Sequence, residues 1–185
     1  KFKSKYPDVS ISISVENSFS GWLKNDLADV VFTDIEPQDN EEWVPFIKDR
    51  YVAVLPEGVL SNKNVPNELK NISNKKTVTK DDLYKHTLIS VNDSKTREFI
   101  DEKKFKKIVK FSSTDDLGVL ALVKQGIGVA ILPSLSVQES FAGTHIALIE
   151  PEYFRVLAFS YKKENKKYCL LKFIQFLKDY YKDKI

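Results

Sequence analysis

The sequence is poor in the residues that build covalent and metal-based structure. It has a single cysteine, Cys169, two histidines and no methionine in 185 residues. One cysteine cannot form a disulfide within the chain, and such usage favours a reducing compartment. His86 and His145 lie far apart, without a carboxylate or cysteine pattern beside them, so neither a metal centre nor a nucleophilic dyad is indicated. We expect no metal and no other cofactor.

Long apolar runs and an excess of either charge are also missing. No segment approaches the roughly 20 apolar residues that a membrane-spanning helix needs, and the first residues have no signal-peptide core. This predicts a cytoplasmic protein that does not contact a membrane. The 29 basic and 26 acidic residues leave a net charge of only +3, which gives no basis for nucleic-acid binding by this chain itself. The absence of methionine, including an initiator, suggests a fragment of a longer protein.

What the sequence does contain is most informative between residues 112 and 133. Ser113 or Thr114 can cap a helix through a side-chain oxygen, and the acidic residues that follow favour the positive end of the helix dipole. Gly126 stands where a left-handed helix C-cap is expected, and residues 129–132 are an unbroken apolar run. A wholly apolar strand after a helix is typical of a parallel sheet covered on both faces. The stretch therefore predicts one step of an α/β fold.

Strand and helix patterns alternate along the rest of the chain. Residues 9–15 alternate strictly between apolar and small polar side chains, which predicts a strand, and residues 57–74 are rich in Asn and Pro, which predicts a loop. Residues 165–184 form the clearest helix, because their apolar side chains fall on one stripe. Further strands are expected at residues 28–32, 50–56, 87–91, 105–111, 145–149 and 156–161, and further helices from Asn17–Ser20 to about residue 23 and at residues 79–83, 96–105 and 134–140.

Several stretches, taken in order, resemble the effector-binding domain of the LysR-type transcriptional regulators. They are Phe2 with Tyr6, Pro7 and Val9; residues 28–32; residues 42–56, which include Trp43, Pro45, Asp49 and Tyr51; residues 78–83 and 87–89; and Leu122, Val123 and residues 126–133. The resemblance covers nearly the whole chain.

The resemblance implies an α/β fold of two Rossmann-like subdomains joined by two crossover strands, similar to type II periplasmic binding proteins. Subdomain I would comprise residues 1–84 and 156–185, and subdomain II residues 85–155. The family's N-terminal winged helix-turn-helix is absent from this chain. The strand that precedes the first helix in the family, with the family's first effector-binding Ser or Thr, would also lie upstream of Lys1.

In such a domain a small effector is held in a cleft where helix N-termini and hydroxyl groups converge. Thr114 matches a family position at which a threonine faces the cleft, and Thr33 follows a predicted strand whose carboxyl end would open there. Simple capping is the alternative explanation for the helix-start residues. Asp115 and Asp116 would partly offset attraction for an anion, which leaves a neutral, zwitterionic or partly cationic effector open. The candidate effector-binding residues are Asn17, Ser18, Thr33, Asn92, Ser94, Thr96, Ser113 and Thr114.

The function implied by the resemblance is small-molecule sensing and oligomerisation within a transcriptional regulator. The family implies a homodimer or homotetramer that contacts DNA only through the missing N-terminal domain, and the helices starting near Phe19 and Asp116 are candidate interface surfaces. An exported solute-binding protein of a transport system is the alternative with the same architecture. An enzyme on a related two-lobed fold is a third hypothesis, but the sequence offers no activated acid, base or nucleophile. We therefore expect a binding protein without catalytic activity.

Overall fold

The structure of the protein is a computed structural model. It describes residues 1–15, 21–37, 39–57, 67–91, 98–100, 102–113, 115–137 and 143–182. Contacts divide the chain into two compact units, which we call unit 1 (residues 1–48 and 156–185) and unit 2 (residues 49–155).

The elements alternate between strands and short helices. The helices are α1 (Phe2–Lys5), α2 (Asn67–Ile72), α3 (Lys80–Leu83), α4 (Glu102–Ile108), α5 (Asp116–Lys124) and α6 (Tyr168–Tyr181), with a 3₁₀ helix at Ser134–Val137. The strands are β1 (Val31–Thr33), β2 (Glu41–Pro56), β3 (Thr77–Thr79), β4 (Leu88–Val91), β5 (Val109–Ser113), β6 (Val129–Pro133), β7 (Thr144–Glu150) and β8 (Phe154–Lys162). Two of these strands, β2 and β8, carry the chain from one unit to the other, as the expected pair of crossover strands requires.

Unit 1 contains a small sheet with one face covered by a helix. β8 lies between β1 and the first half of β2, and β1 pairs with it in antiparallel register. The apolar stripe expected in the last helix is buried, because it closes an aromatic core on this sheet. The buried residues of that core are Phe46, Phe159, Leu170, Ile174 and Leu177.

The predicted strand at residues 9–15 is wrong. This segment pairs with no strand in the described parts of the chain, and Ile13 and Val15 are 84% and 92% exposed. A period-two pattern shows which side chains could share a face, but it does not specify the backbone hydrogen bonds that a paired strand needs. Among the described residues β1 pairs with β8 alone, so its other edge has no partner either.

Three other boundaries differ from those expected. The region 57–74 is not all loop, because α2 forms within it and buries Leu69 and Ile72. The single helix expected at 96–105 is not observed: among the described residues, 98 and 99 are helical, a bend follows at Ile100, and α4 covers Glu102–Ile108, so the next strand covers 109–113 instead of 105–111. The start of the short helix expected to end near residue 23 lies outside the described residues, and residues 21–26 form turns.

Unit 2 contains a mixed sheet in the order β3-β7-β2-β6-β4-β5. β4, β5 and β6 run parallel, whereas β2 is antiparallel to both β6 and β7. Separate apolar clusters cover the two faces, and α5 packs on one of them through Val119, Leu120 and Val123. All five residues of β6 are buried, which confirms the strand predicted from its unbroken apolar run.

The boundary between the units falls earlier than the expected end of subdomain I. Residues 49–84 belong to unit 2, because the second half of β2 pairs with β6 and β7 and because β3 pairs with β7. The apolar side chains of α2 and α3 join the same core. The second boundary between the units lies at 155/156.

α3 is stabilised by a capping box that includes an ion pair. Thr79 Oγ1 accepts a hydrogen bond from the Asp82 N–H, and Asp82 Oδ2 accepts one from the Thr79 N–H, at 3.2 and 3.1 Å. Lys75 Nζ donates to Asp82 Oδ1 at 2.8 Å. The hydrogen bond from Lys75, helped by that from the Thr79 backbone, lowers the pKa of Asp82 from 3.8 to about 2.

This depressed pKa predicts a pH-dependent stability. The ionised Asp82 stabilises the folded chain above its ordinary pKa, and this contribution is lost as the pH falls from about 4 through about 2. We expect an effect on the order of 1 kcal/mol, reduced by solvent screening. Urea unfolding at about pH 6 and about pH 2 should show wild type losing its advantage over Asp82→Asn at the lower pH. If the free energies of unfolding of wild type and Asp82→Asn differ by the same amount at both pH values, the prediction is contradicted.

Candidate functional site

The carboxyl ends of two parallel strands meet in unit 2. In the β4 and β5 pairing, Val91 lies opposite Ser113 and Ser90 lies opposite Ser112. Ser90 is buried, and its hydroxyl donates to the Val91 carbonyl at 2.6 Å. Ligands of open α/β sheets bind outside such carboxyl ends. Ser113 therefore stands at the edge of the sheet where a small molecule is expected.

α5 begins immediately beyond this edge, and its cap is Asp115. The Asp115 Oδ1 atom accepts a hydrogen bond from the Gly118 N–H at 2.7 Å. Ser113 Oγ accepts a hydrogen bond from the Asp115 N–H at 3.3 Å and lies 3.4 Å from Asp115 Oδ2. The sequence-based expectation that Ser113 or Thr114 caps the helix is wrong, because Asp115 is the extended residue directly before the helix and its side chain forms the cap. A carboxylate consequently lies at the positive end of the helix.

Thr33 occupies the corresponding end of β1, in unit 1. Its side chain is buried, and its Oγ1 accepts a hydrogen bond from the Ile35 N–H at 2.9 Å. A threonine hydroxyl that bonds the backbone two residues later stabilises a local turn. This contact explains Thr33 without a ligand, and its part in effector binding stays a prediction.

The other candidate residues lie outside the described parts of the chain. The structure therefore shows only Ser113 at the edge formed by β4, β5 and α5, with Thr33 in the other unit. The undescribed candidates are Asn17, Ser18, Asn92, Ser94, Thr96 and Thr114.

Two glycines connect α5 to β6 at the opposite, amino-terminal end of the parallel strands β4 and β6. Gly126 has a φ of +73°, the left-handed conformation expected after a helix. A Cβ atom on Gly128 would lie 2.4 Å from the Thr87 carbonyl oxygen, so the chain here passes directly against the start of β4. Both observations agree with a helix-to-strand turn and not with a phosphate-binding loop.

Asp49 is a buried charged residue that the sequence reasoning missed. Its carboxylate pairs with Arg155, whose Nε and Nη2 atoms each lie 3.0 Å from Asp49 Oδ2. Oδ1 accepts hydrogen bonds from Ser134 Oγ and from the Leu135 N–H at 2.8 and 3.1 Å. The available signal was a charged residue directly before an apolar strand, but its partner lies over a hundred residues later.

The described residues contain no group of three or more His, Cys, Asp or Glu side chains that could hold a metal ion. Within the same residues, no helix is long and apolar enough to cross a membrane. What the site offers is hydroxyl groups, a carboxylate and backbone groups at a strand edge. This chemistry suits reversible binding of a small polar molecule.

Comparison with protein families identifies the family to which a chain of this fold belongs. Residues 1–182 match the family described as the LysR substrate binding domain. The chain belongs to this family. LysR substrate-binding domains are regulatory ligand-binding domains and not an enzyme family, and the match does not favour a transport protein. No curated protein sequence matches the chain.

Solved structures of LysR proteins share the fold at low sequence identity. The regulatory domain of CcmR from Synechocystis PCC6803, in complex with 2-PG, is 15% identical with a TM-score of 0.77, over 98% of this chain and 88% of that one. HinK, a LysR family transcriptional regulator from Pseudomonas aeruginosa, is 20% identical with a TM-score of 0.71, over 97% of this chain but only 62% of HinK. The effector-binding domain of QuiR, in complex with shikimate, is 20% identical with a TM-score of 0.65, over 87% and 75%.

Proposed function

We propose that this LysR substrate-binding domain senses a small-molecule effector in the cytoplasm and controls a DNA-binding domain outside this sequence. The observation that carries the proposal is the meeting of β4, β5 and the start of α5 at Ser113 and Asp115. The longer HinK regulator supports the view that such a domain works as part of a larger protein.

The Asp115 carboxylate narrows the chemistry of the effector. It satisfies one helix N–H group and adds a negative charge where a bound anion would otherwise gain most. An effector that approaches this edge therefore benefits from a hydroxyl or amine that can donate to Asp115 or to Ser113. The domains of CcmR and QuiR bind small organic ligands, 2-PG and shikimate, which supports a metabolite of similar size.

The binding proposal is tested at Thr114, the residue that the family resemblance assigns to the effector. A thermal-shift screen of small hydroxy acids, amino acids and amines should first find a compound that stabilises the protein. For that compound, Thr114→Val should weaken the affinity about tenfold, because a lost hydrogen bond to a ligand costs roughly 1.4 kcal/mol. Calorimetric titration measures the change, and the melting temperature of the free protein should stay close to that of wild type.

Thr77→Val is the matched control, because Thr77 lies on β3 in the same unit and away from the β4 and β5 edge. Unchanged affinity in Thr114→Val would remove this residue from the site. An equal loss in both variants would indicate a general effect on the fold.

We also propose that the domain forms a homodimer or homotetramer through one face of unit 2. Leu117 on α5 and Ile146 and Leu148 on β7 are exposed, although they are large and apolar. Ile146 and Leu148 stand opposite Val54 and Val52, which pack under α5, so they lie on the same face of the sheet as α5. Large exposed apolar residues grouped on one face are typical of protein interfaces.

Leu148→Glu should weaken self-association by about tenfold or more, because it introduces a charge into a buried contact. Sedimentation velocity over a concentration series measures the change. Leu171→Glu is the control, because Leu171 is also apolar and similarly exposed, at 42%, but lies on α6 in unit 1. A wild-type chain that stays monomeric at the highest concentrations would contradict the interface.

A further inference from the structure

Asp49 and Arg155 are the first and last residues of unit 2. The chain enters this unit between residues 48 and 49 and leaves it between residues 155 and 156. The two connections between the units are therefore directly adjacent in sequence to the two members of this ion pair.

The Asp49 carboxylate is enclosed and has a partner on each oxygen. Its side chain is 0% exposed, and that of Arg155 is 21% exposed. Arg155 donates to Oδ2 through two nitrogen atoms, whereas Ser134 Oγ and the Leu135 N–H donate to Oδ1. Two donors of one planar guanidinium fix orientation as well as distance, which a single contact does not.

Residues next to Asp49 and Arg155 also form contacts between the two connecting segments. The Tyr51 N–H donates to the Tyr153 carbonyl at 2.8 Å, and the two rings lie 5.2 Å apart. Arg50 forms a more exposed ion pair with Glu152 at 3.3 Å. The incoming and outgoing segments are thus joined at successive positions, with Asp49 as the buried contact.

From these contacts we infer that the Asp49–Arg155 pair is a clamp that holds both connecting segments, and the start of the 3₁₀ helix at Ser134–Val137, in one arrangement. Water has little access to Asp49 and cannot replace a lost partner there. A shift of the 3₁₀ helix would therefore be passed through Asp49 to both connections.

The test measures the spread of distances between a label in unit 1 and a label in unit 2, which the clamp is expected to keep narrow. Cys169, the single cysteine, is exposed on α6 in unit 1 and accepts a spin label. Lys76→Cys supplies a second exposed label in unit 2. Pulsed electron spin resonance on the labelled 185-residue chain then gives the distribution of distances between the two labels.

We expect Arg155→Lys and Asp49→Asn to widen this distribution about twofold or more, because lysine replaces two donors with one, and asparagine has one acceptor oxygen for donors that now use two. Arg50→Lys, in the exposed pair beside the clamp, should leave the width unchanged. Circular dichroism shows which variants remain folded, and Arg155→Lys, which keeps the charge, tests the proposal even if Asp49→Asn does not fold. A folded Arg155→Lys protein with the wild-type width would overturn the inference.

Discussion

Gly128→Ala should lower the free energy of unfolding by about 3 kcal/mol, at the upper end of the cost of overpacking a core. The new Cβ atom would lie 2.4 Å from the Thr87 carbonyl oxygen and 3.2 Å from its carbon, and both are backbone atoms. The same carbonyl accepts a hydrogen bond from the Val129 N–H at 3.0 Å. Relief of the clash therefore has to move the start of β4 away from β6 and weaken the parallel pairing.

Urea denaturation of the purified protein measures this loss. Gly118→Ala is the control, because its Cβ would meet the Ser113 hydroxyl at 2.6 Å, a side-chain atom that can rotate away. Within a helix such as α5, alanine is also more favourable than glycine by up to about 1 kcal/mol. Gly118→Ala should therefore lose far less stability than Gly128→Ala. A Gly128→Ala protein as stable as wild type would show that the close approach to Thr87 relaxes without cost.

The contrast between β6 and residues 9–15 shows what a sequence pattern can determine. The five residues of β6 are apolar on both faces, so burial itself dictates that other elements surround them, and the strand forms as predicted. The alternation at 9–15 specifies only which side chains share a face, and it leaves the backbone pairing undetermined, even though one edge of β1 is unpaired among the described residues. Local pattern therefore predicted the centre of unit 2 better than the sheet of unit 1.

The candidate site was predictable to a similar, limited extent. The sequence indicated that helix-start residues, Ser113 among them, follow a strand expected to end at residue 111, and the structure shows Ser113 as the last residue of β5, beside the end of β4. It did not indicate that Asp115 rather than Ser113 caps α5, because adjacent Ser, Thr and Asp residues are all good caps and the choice depends on where the chain turns. This difference matters because the carboxylate that was expected near the helix start itself accepts the Gly118 N–H hydrogen bond and so occupies the cap.

The Asp49 cluster lay beyond sequence reasoning for a different reason. Its members are contributed by β2, by β8 and by the residues after β6, and no local rule relates segments so far apart. An aspartate before an apolar strand is as typical of a solvent-exposed strand start as of a buried contact. Only the folded arrangement of the sheet shows that it is enclosed.

Asp49→Ala should therefore destabilise the protein by about 3 to 5 kcal/mol, the usual result of removing one partner from a buried ion pair. Most of this loss reflects the groups left behind, because the Arg155 guanidinium, the Ser134 hydroxyl and the Leu135 N–H all lose their acceptor. Arg50→Ala, in an exposed pair, should cost less than about 1 kcal/mol.

A double-mutant cycle in urea separates the pair from its surroundings. If the unpaired guanidinium causes much of the loss, Asp49→Ala/Arg155→Ala should be more stable than the sum of the two single changes predicts, by about 1 kcal/mol or more. Simple additivity would instead mean that water reaches Arg155 through its 21% exposed side chain and solvates the charge once Asp49 is gone. In that case the hydrogen bonds to Ser134 and Leu135, and not the ion pair, would be the main stabilising contribution of Asp49.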